Sequence, residues 1–158
     1  MSVRADAETL RNIPIFAACD SVPLQVIAFA AERQHFAAGE HLLNQGEIGS
    51  AAYLILSGRA EIRAGKGGQS EVIGHAEPGA FLGEVAMIAK TPYSVSAIAA
   101  VPLVAAKIDR KLFLRVADEY PEFGAAVFRA LAGKLDGSLD EFNSARDMLV
   151  RAKSFLDL

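Results

Sequence analysis

At 158 residues, with 16 basic against 19 acidic side chains and a formal charge of −3, the chain is long enough to bury a core and too short for two ordinary domains. Its Lys and Arg are scattered, which argues against a nucleic-acid surface, where clustered cations displace counterions from phosphates. Cys19 is the only cysteine, so no internal disulfide or cysteine-cluster metal site can form, and no apolar run approaches the length of a membrane span.

Met1 to Asn12 carries Arg4, Asp6, Glu8 and Arg11 and has no apolar h-region, so it does not read as a signal peptide. A cytoplasmic, single-domain protein over 1–158 is expected, in three zones. The first, 1–33, reads as helical from Ala5, with breaks at Pro14 and Pro23 and apolar positions at Leu10, Ile13, Phe16, Leu24, Ile27 and Phe29. Asp20-Ser21 supplies an N-cap with Pro23 in the first turn behind it.

The second zone, 34–108, holds short apolar runs punctuated by glycine. Ala51–Leu56 and Ala60–Arg63 flank Ser57-Gly58, and strands of this length with regular turn signals predict a small β-sandwich or roll. Gly65-Lys66-Gly67-Gly68 lacks the leading glycine and the Ser/Thr of a phosphate loop and reads as a hairpin turn.

The third zone, 109–158, is helical. Asp109 is a candidate N-cap for a short helix from Lys111 to Glu119; Tyr120-Pro121 ends it, and a long helix is expected from Pro121 to about Phe155. Phe128, Leu131, Leu135, Ser138, Phe142, Ala145, Leu149, Ala152 and Leu156 alternate in steps of three and four, a heptad seam. Its first two turns are expected to pack on the chain's own roll. The rest predicts a parallel homodimer, with an interface at Phe128, Leu131, Leu135, Phe142, Ala145, Leu149, Ala152 and Leu156. Gly133 and Gly137 each weaken the helix by about 1 kcal/mol, a cost that suggests close approach by something else.

The densest local pattern is Pro78-Gly79-Ala80-Phe81-Leu82-Gly83-Glu84-Val85-Ala86-Met87-Ile88, followed by Thr91-Pro92-Tyr93-Ser94-Val95-Ser96. A Gly-Glu-x-Ala turn offers backbone N–H groups and a carboxylate to a small ligand, and a strand carrying hydroxyls follows. With Leu10–Phe16, Phe36–Glu40, Asn44–Glu47 and Tyr53–Gly58 in this order, the whole chain resembles the cyclic nucleotide-binding domain family, which includes bacterial cAMP receptor proteins, kinase regulatory subunits and nucleotide-gated channels. The resemblance implies an α+β fold: an antiparallel, jelly-roll-like β-roll with N-terminal helices, then a short helix and a long dimerisation helix.

It also implies a ligand site. Gly83, Val85 and Ala86 fall in the segment that presents N–H groups to a cyclic phosphate, and Glu84 matches the glutamate that accepts from the ribose 2′-hydroxyl. Ser94 and Ser96 fall where hydroxyls contact purine or phosphate, and Ser138 where the long helix reaches the purine. Many members place a proline nine residues after the glycine and an arginine at the tenth. Pro92 keeps that register here, and Tyr93 stands in the arginine's place. Arginine pairs bidentately with phosphate, whereas tyrosine is neutral at pH 7. Lys90, on the same loop, offers a point charge if it turns inward; its ordinary reading is a solvated lysine.

The expectation is a non-catalytic regulatory or interaction module of cytoplasmic signalling, without cofactor, with weak or absent cAMP binding and a possible protein partner. The alternatives are a working receptor for cAMP, cGMP or a cyclic dinucleotide, and the sensor part of a transcription regulator. If Leu158 is the natural terminus, no helix-turn-helix follows and the chain alone does not bind DNA. His35, His41 and His75 form no close pair for a metal, and no nucleophile elbow is present, so an enzyme is not expected.

Overall fold

The computed structural model describes residues 3–66 and 69–134. The chain divides into two compact units: a β unit, Ala31–Asp109, and a helical unit built from the residues before and after it.

The helical unit contains α1 (Val3–Arg11), a 3-10 turn (Pro14–Phe16), α2 (Ser21–Ala30), α4 (Arg110–Glu119) and α5 (Pro121–Lys134). Pro14 opens the 3-10 turn and Pro23 lies in the first turn of α2, places where a missing N–H costs nothing. An aromatic cluster forms its core. Phe113 lies 5.7 Å from Phe123 and 6.2 Å from Phe128, and Phe123 stacks on Phe16 at 6.0 Å. Gly124 of α5 faces Ala117 of α4, where an added Cβ would come within 3.1 Å of the Ala117 side chain.

The β unit carries eight strands: β1 (Glu32–Phe36), β2 (His41–Leu43), β3 (Ala51–Ser57), β4 (Ala60–Lys66), β5 (Gln69–Ala76), β6 (Phe81–Leu82), β7 (Ser96–Ala99) and β8 (Leu103–Asp109). They form two four-stranded antiparallel sheets, ordered β1-β8-β3-β6 and β2-β7-β4-β5, the two-sheet arrangement of a roll. The chain passes from one sheet to the other across Ser57–Arg59, so β3 and β4 flank Gly58 without pairing. Strand β1 begins at Glu32, two residues before the expected zone boundary, because pairing with β8 (Glu32↔Lys107 to Phe36↔Leu103) sets the start of a polar strand that hydrophobic pattern alone leaves unmarked. The β4–β5 pairing runs out to Lys66↔Gln69, in keeping with the hairpin the sequence suggests here.

The interior of the roll is lined largely by alanine, including Ala51, Ala60, Ala97, Ala99 and Ala105, with Leu43, Ile55, Leu103, Tyr53 and Tyr93 filling the remaining volume. Strand β3 is buried at every position from Ala51 to Leu56, so it forms the inner wall against which the cassette is assembled.

Helix α5 corrects one part of the sequence reading. Phe128 and Leu131, taken as the start of an intermolecular seam, are 6% and 0% exposed. Phe128 is spent on Phe113, and α5 packs on α4 and the 3-10 turn. The remaining seam positions, Leu135, Phe142, Ala145, Leu149, Ala152 and Leu156, and Ser138 with them, lie outside the described residues.

Candidate functional site: a glycine-led cassette around Tyr93

The cassette is built on α3 (Glu84–Ala89), a six-residue helix between β6 and the segment leading to β7. Gly83 sets its entry with φ 81° and ψ 14°, a left-handed conformation that glycine adopts without the Cβ penalty. Space imposes the same choice, since a Cβ at Gly83 would come within 2.9 Å of the Tyr93 ring. Glu84 occupies the first turn, where a carboxylate complements the helix dipole, and is largely buried. Ala86, Met87, Ile88 and Ala89 are buried, and Val85 is half-buried. The helix ends at Lys90, whose φ of 59° and ψ of 47° put a non-glycine residue in the left-handed region.

The loop 45–50 runs alongside the cassette as a short antiparallel clamp. Gly46 N–H donates to Tyr93 O (3.0 Å), Tyr93 N–H to Glu47 O (2.8 Å) and Gly49 N–H to Thr91 O (2.8 Å), around an isolated Ile48↔Pro92 bridge. Gly49 is required by close approach, because a Cβ there would lie 2.5 Å from the Ala86 carbonyl carbon. The main chain of residue 93 is therefore held on both sides before its side chain is considered.

The side chain turns inward. Tyr93 is 8% exposed, and its hydroxyl donates to Ala51 O at 2.6 Å. The same oxygen accepts from Ala51 N–H at 3.2 Å and from Ser50 N–H at 3.3 Å. A phenol has one donor and modest acceptor capacity, and the start of β3 takes up both. Beside it, burial pushes the Tyr53 phenol above its ordinary value of 10.0, with Tyr93 and Glu32 adding to the effect. Tyr53 also meets Phe36 edge-on at 6.0 Å.

The other residues singled out in the sequence separate into those the fold uses and those it leaves outside. Ser96 opens β7, and its Oγ accepts from Gln45 N–H at 2.9 Å, while Gln45 Oε1 accepts from Gly65 N–H at 3.2 Å. Ser94 lies on a bend before the strand and is exposed. Lys90, the one cation between Pro78 and Ser96, is exposed as well. His35 and His41 fall on strands of different sheets, and among the described residues no group of three metal-ligating side chains comes together. Sequence reasoning missed Ser50 and Ala51, which hold Tyr93 through their backbone, a role that no side-chain pattern announces.

Comparison with known proteins places this geometry. Residues 33–120 match the family model described as the cyclic nucleotide-binding domain. A cAMP-dependent protein kinase regulatory subunit from Mycosarcoma maydis is 32% identical over 91 residues, 58% of this chain and 17% of that protein. The corresponding subunit from Mucor circinelloides is 27% identical over 107 residues, 68% of this chain and 25% of that protein. The chain thus spans a quarter or less of the length of these two relatives. Among solved structures, a cyclic nucleotide-binding-like protein from Brucella abortus superposes with a TM-score of 0.65 at 31% identity, covering 71% of this chain and 97% of that one. The regulatory domain of Toxoplasma gondii PKA, crystallised with cAMP, gives a TM-score of 0.69 at 25% identity, over 84% of this chain and 49% of that one.

Proposed function

The chain belongs to the cyclic nucleotide-binding domain family, and from that premise we propose that it is a non-catalytic regulatory module whose ligand cassette is closed by its own Tyr93. The observation that carries this reading is the Tyr93 hydroxyl, bound three ways to the backbone of Ser50 and Ala51. At the position that the resemblance gives to a phosphate-pairing arginine, the protein holds a neutral, inward, already partnered group. Removing one member of a buried charge pair costs about 2–5 kcal/mol, roughly 30- to 4,000-fold in affinity. A micromolar receptor would fall towards millimolar binding. Lys90 does not replace the lost charge, because it is solvated beyond the end of α3.

The regulatory role is read from relatives named as cAMP-dependent protein kinase regulatory subunits. A second reading, a working cyclic nucleotide receptor, is favoured by the retained left-handed Gly83 and the buried Glu84 at the head of α3. In that reading Gly83, Glu84, Val85 and Ala86 would hold the ligand's phosphate and ribose, and a cyclic dinucleotide could place its phosphates elsewhere. In either reading the chain forms a homodimer through the heptad positions after Lys134.

Calorimetric titration of wild type and Tyr93→Arg with cAMP, cGMP and cyclic di-GMP separates the two. The closed cassette predicts no micromolar binding by wild type and a gain for cAMP or cGMP in Tyr93→Arg, with a thermal melt confirming that the variant is folded. Micromolar binding by wild type would establish the receptor reading instead.

A further inference from the structure

The helical unit contains a cleft of about 770 Å³ that no part of the cassette explains. Its floor is apolar and buried: Cys19, Pro23, Phe123 and Ala126. One wall is the α5 face Glu122, Ala125, Ala126 and Arg129, spaced i, i+3, i+4 and i+7, with alanines at its centre. The groove exists because those two positions carry no side chain long enough to fill it.

The rim is acidic. Asp20, Glu119 and Glu122 line it against the single cation Arg129, and all four are exposed. The charge of Asp20 reaches the floor: the Cys19 thiol is pushed up to about 11, first by burial and then by that carboxylate. Small-molecule sites bury most of their ligand, about 70–90% of its surface. This cleft has a rim of exposed charged side chains over a buried apolar floor, which suits a segment laid across it. Half-buried Tyr120 at the elbow between α4 and α5 adds an amphipathic anchor of the kind that interfaces favour.

We propose that this cleft docks a basic, apolar peptide segment of a partner protein, one that seats a hydrophobic side chain over Phe123 and Ala126 and sets Lys or Arg against Asp20, Glu119 and Glu122. The proposal names the partner chemistry of the regulatory module and rests on that reading. It involves no residue of the cassette, so its failure leaves the Tyr93 titration standing.

The test is selection of a random dodecapeptide display library on the full chain, repeated on the Asp20→Asn, Glu119→Gln, Glu122→Gln triple variant. The expected result is enrichment of peptides carrying Lys or Arg within four residues of an apolar side chain. Synthetic copies should bind wild type at least tenfold more tightly than the variant and weaken as salt rises. Glu71→Gln with Glu77→Gln, exposed carboxylates of the β unit, should leave binding unchanged. The proposal is overturned if no peptide is enriched, if the enriched peptides lack basic residues, or if they bind the variant equally well. It is also overturned if binding emerges only after Arg151 and Lys153 are changed to Glu, since the chain's own C-terminal segment would then be the occupant.

Discussion

The Tyr93 hydroxyl donates to Ala51 O and accepts from the backbone N–H groups of Ala51 and of Ser50 just before it, so both its hydrogen-bonding roles are in use before any ligand arrives. In the proposed reading a phosphate approaching Gly83 would meet the Tyr93 ring packed against the glycine in place of a guanidinium. The substitution was readable, since Pro92 fixed the register. Its consequence was not, because Ala51 lies 42 residues from Tyr93 and contributes only backbone. A second residue-scale effect concerns Cys19, whose thiol is raised from 9.0 to about 11 by burial and by Asp20. A raised folded value means that the neutral thiol is favoured by folding. The associated stability is complete below pH 9 and is lost as pH rises towards 11. Thiolate absorbance near 240 nm should therefore appear close to pH 11 in the folded protein and close to pH 9 in urea; a folded-state midpoint near 9 would contradict the burial described here.

At the scale of elements, α5 shows that a heptad periodicity can be spent inside the protomer. Steps of three and four residues place Phe128 and Leu131 on one face, and that face is buried within the protomer. Heptad spacing specifies an apolar stripe without saying whose surface covers it. The later heptad positions, from Leu135 on, lie outside the described residues, and the homodimer proposed for them rests on the sequence pattern alone. Sedimentation of wild type against Phe142→Glu with Leu149→Glu tests this: a shift from dimer to monomer is expected, and an unchanged mass would remove the seam. Phe128→Glu should instead unfold the helical unit, because it buries a charge beside Phe113 without a partner. The acid-rimmed cleft left no mark on local sequence either, since the loop before α2 meets the α4–α5 elbow only in the folded chain.

Over the whole molecule, the glycine-punctuated strands, the hairpin at Lys66↔Gln69 and the breaks at Pro14 and Tyr120-Pro121 were all legible, because each follows from local backbone chemistry. Family resemblance gave the β-roll but not the order of strands in its two sheets, since neighbours such as β3 and β8 depend on contacts half the roll apart. In the proposed reading the β unit keeps the shape of a nucleotide cassette that Tyr93 occupies, and the helical unit offers a separate docking surface. The central claim is that the cassette is closed, and the most direct measurement is the backbone amide spectrum of the wild-type protein during cAMP titration. Amides of Ser50, Ala51, Gly83 and Ala86 should stay fixed at cAMP of a few micromolar, with half-saturation no lower than roughly 30 μM, as a loss of about 2–5 kcal/mol from a micromolar site requires. Saturable shifts of those amides at micromolar cAMP would show that Tyr93 yields to the ligand and would contradict the account.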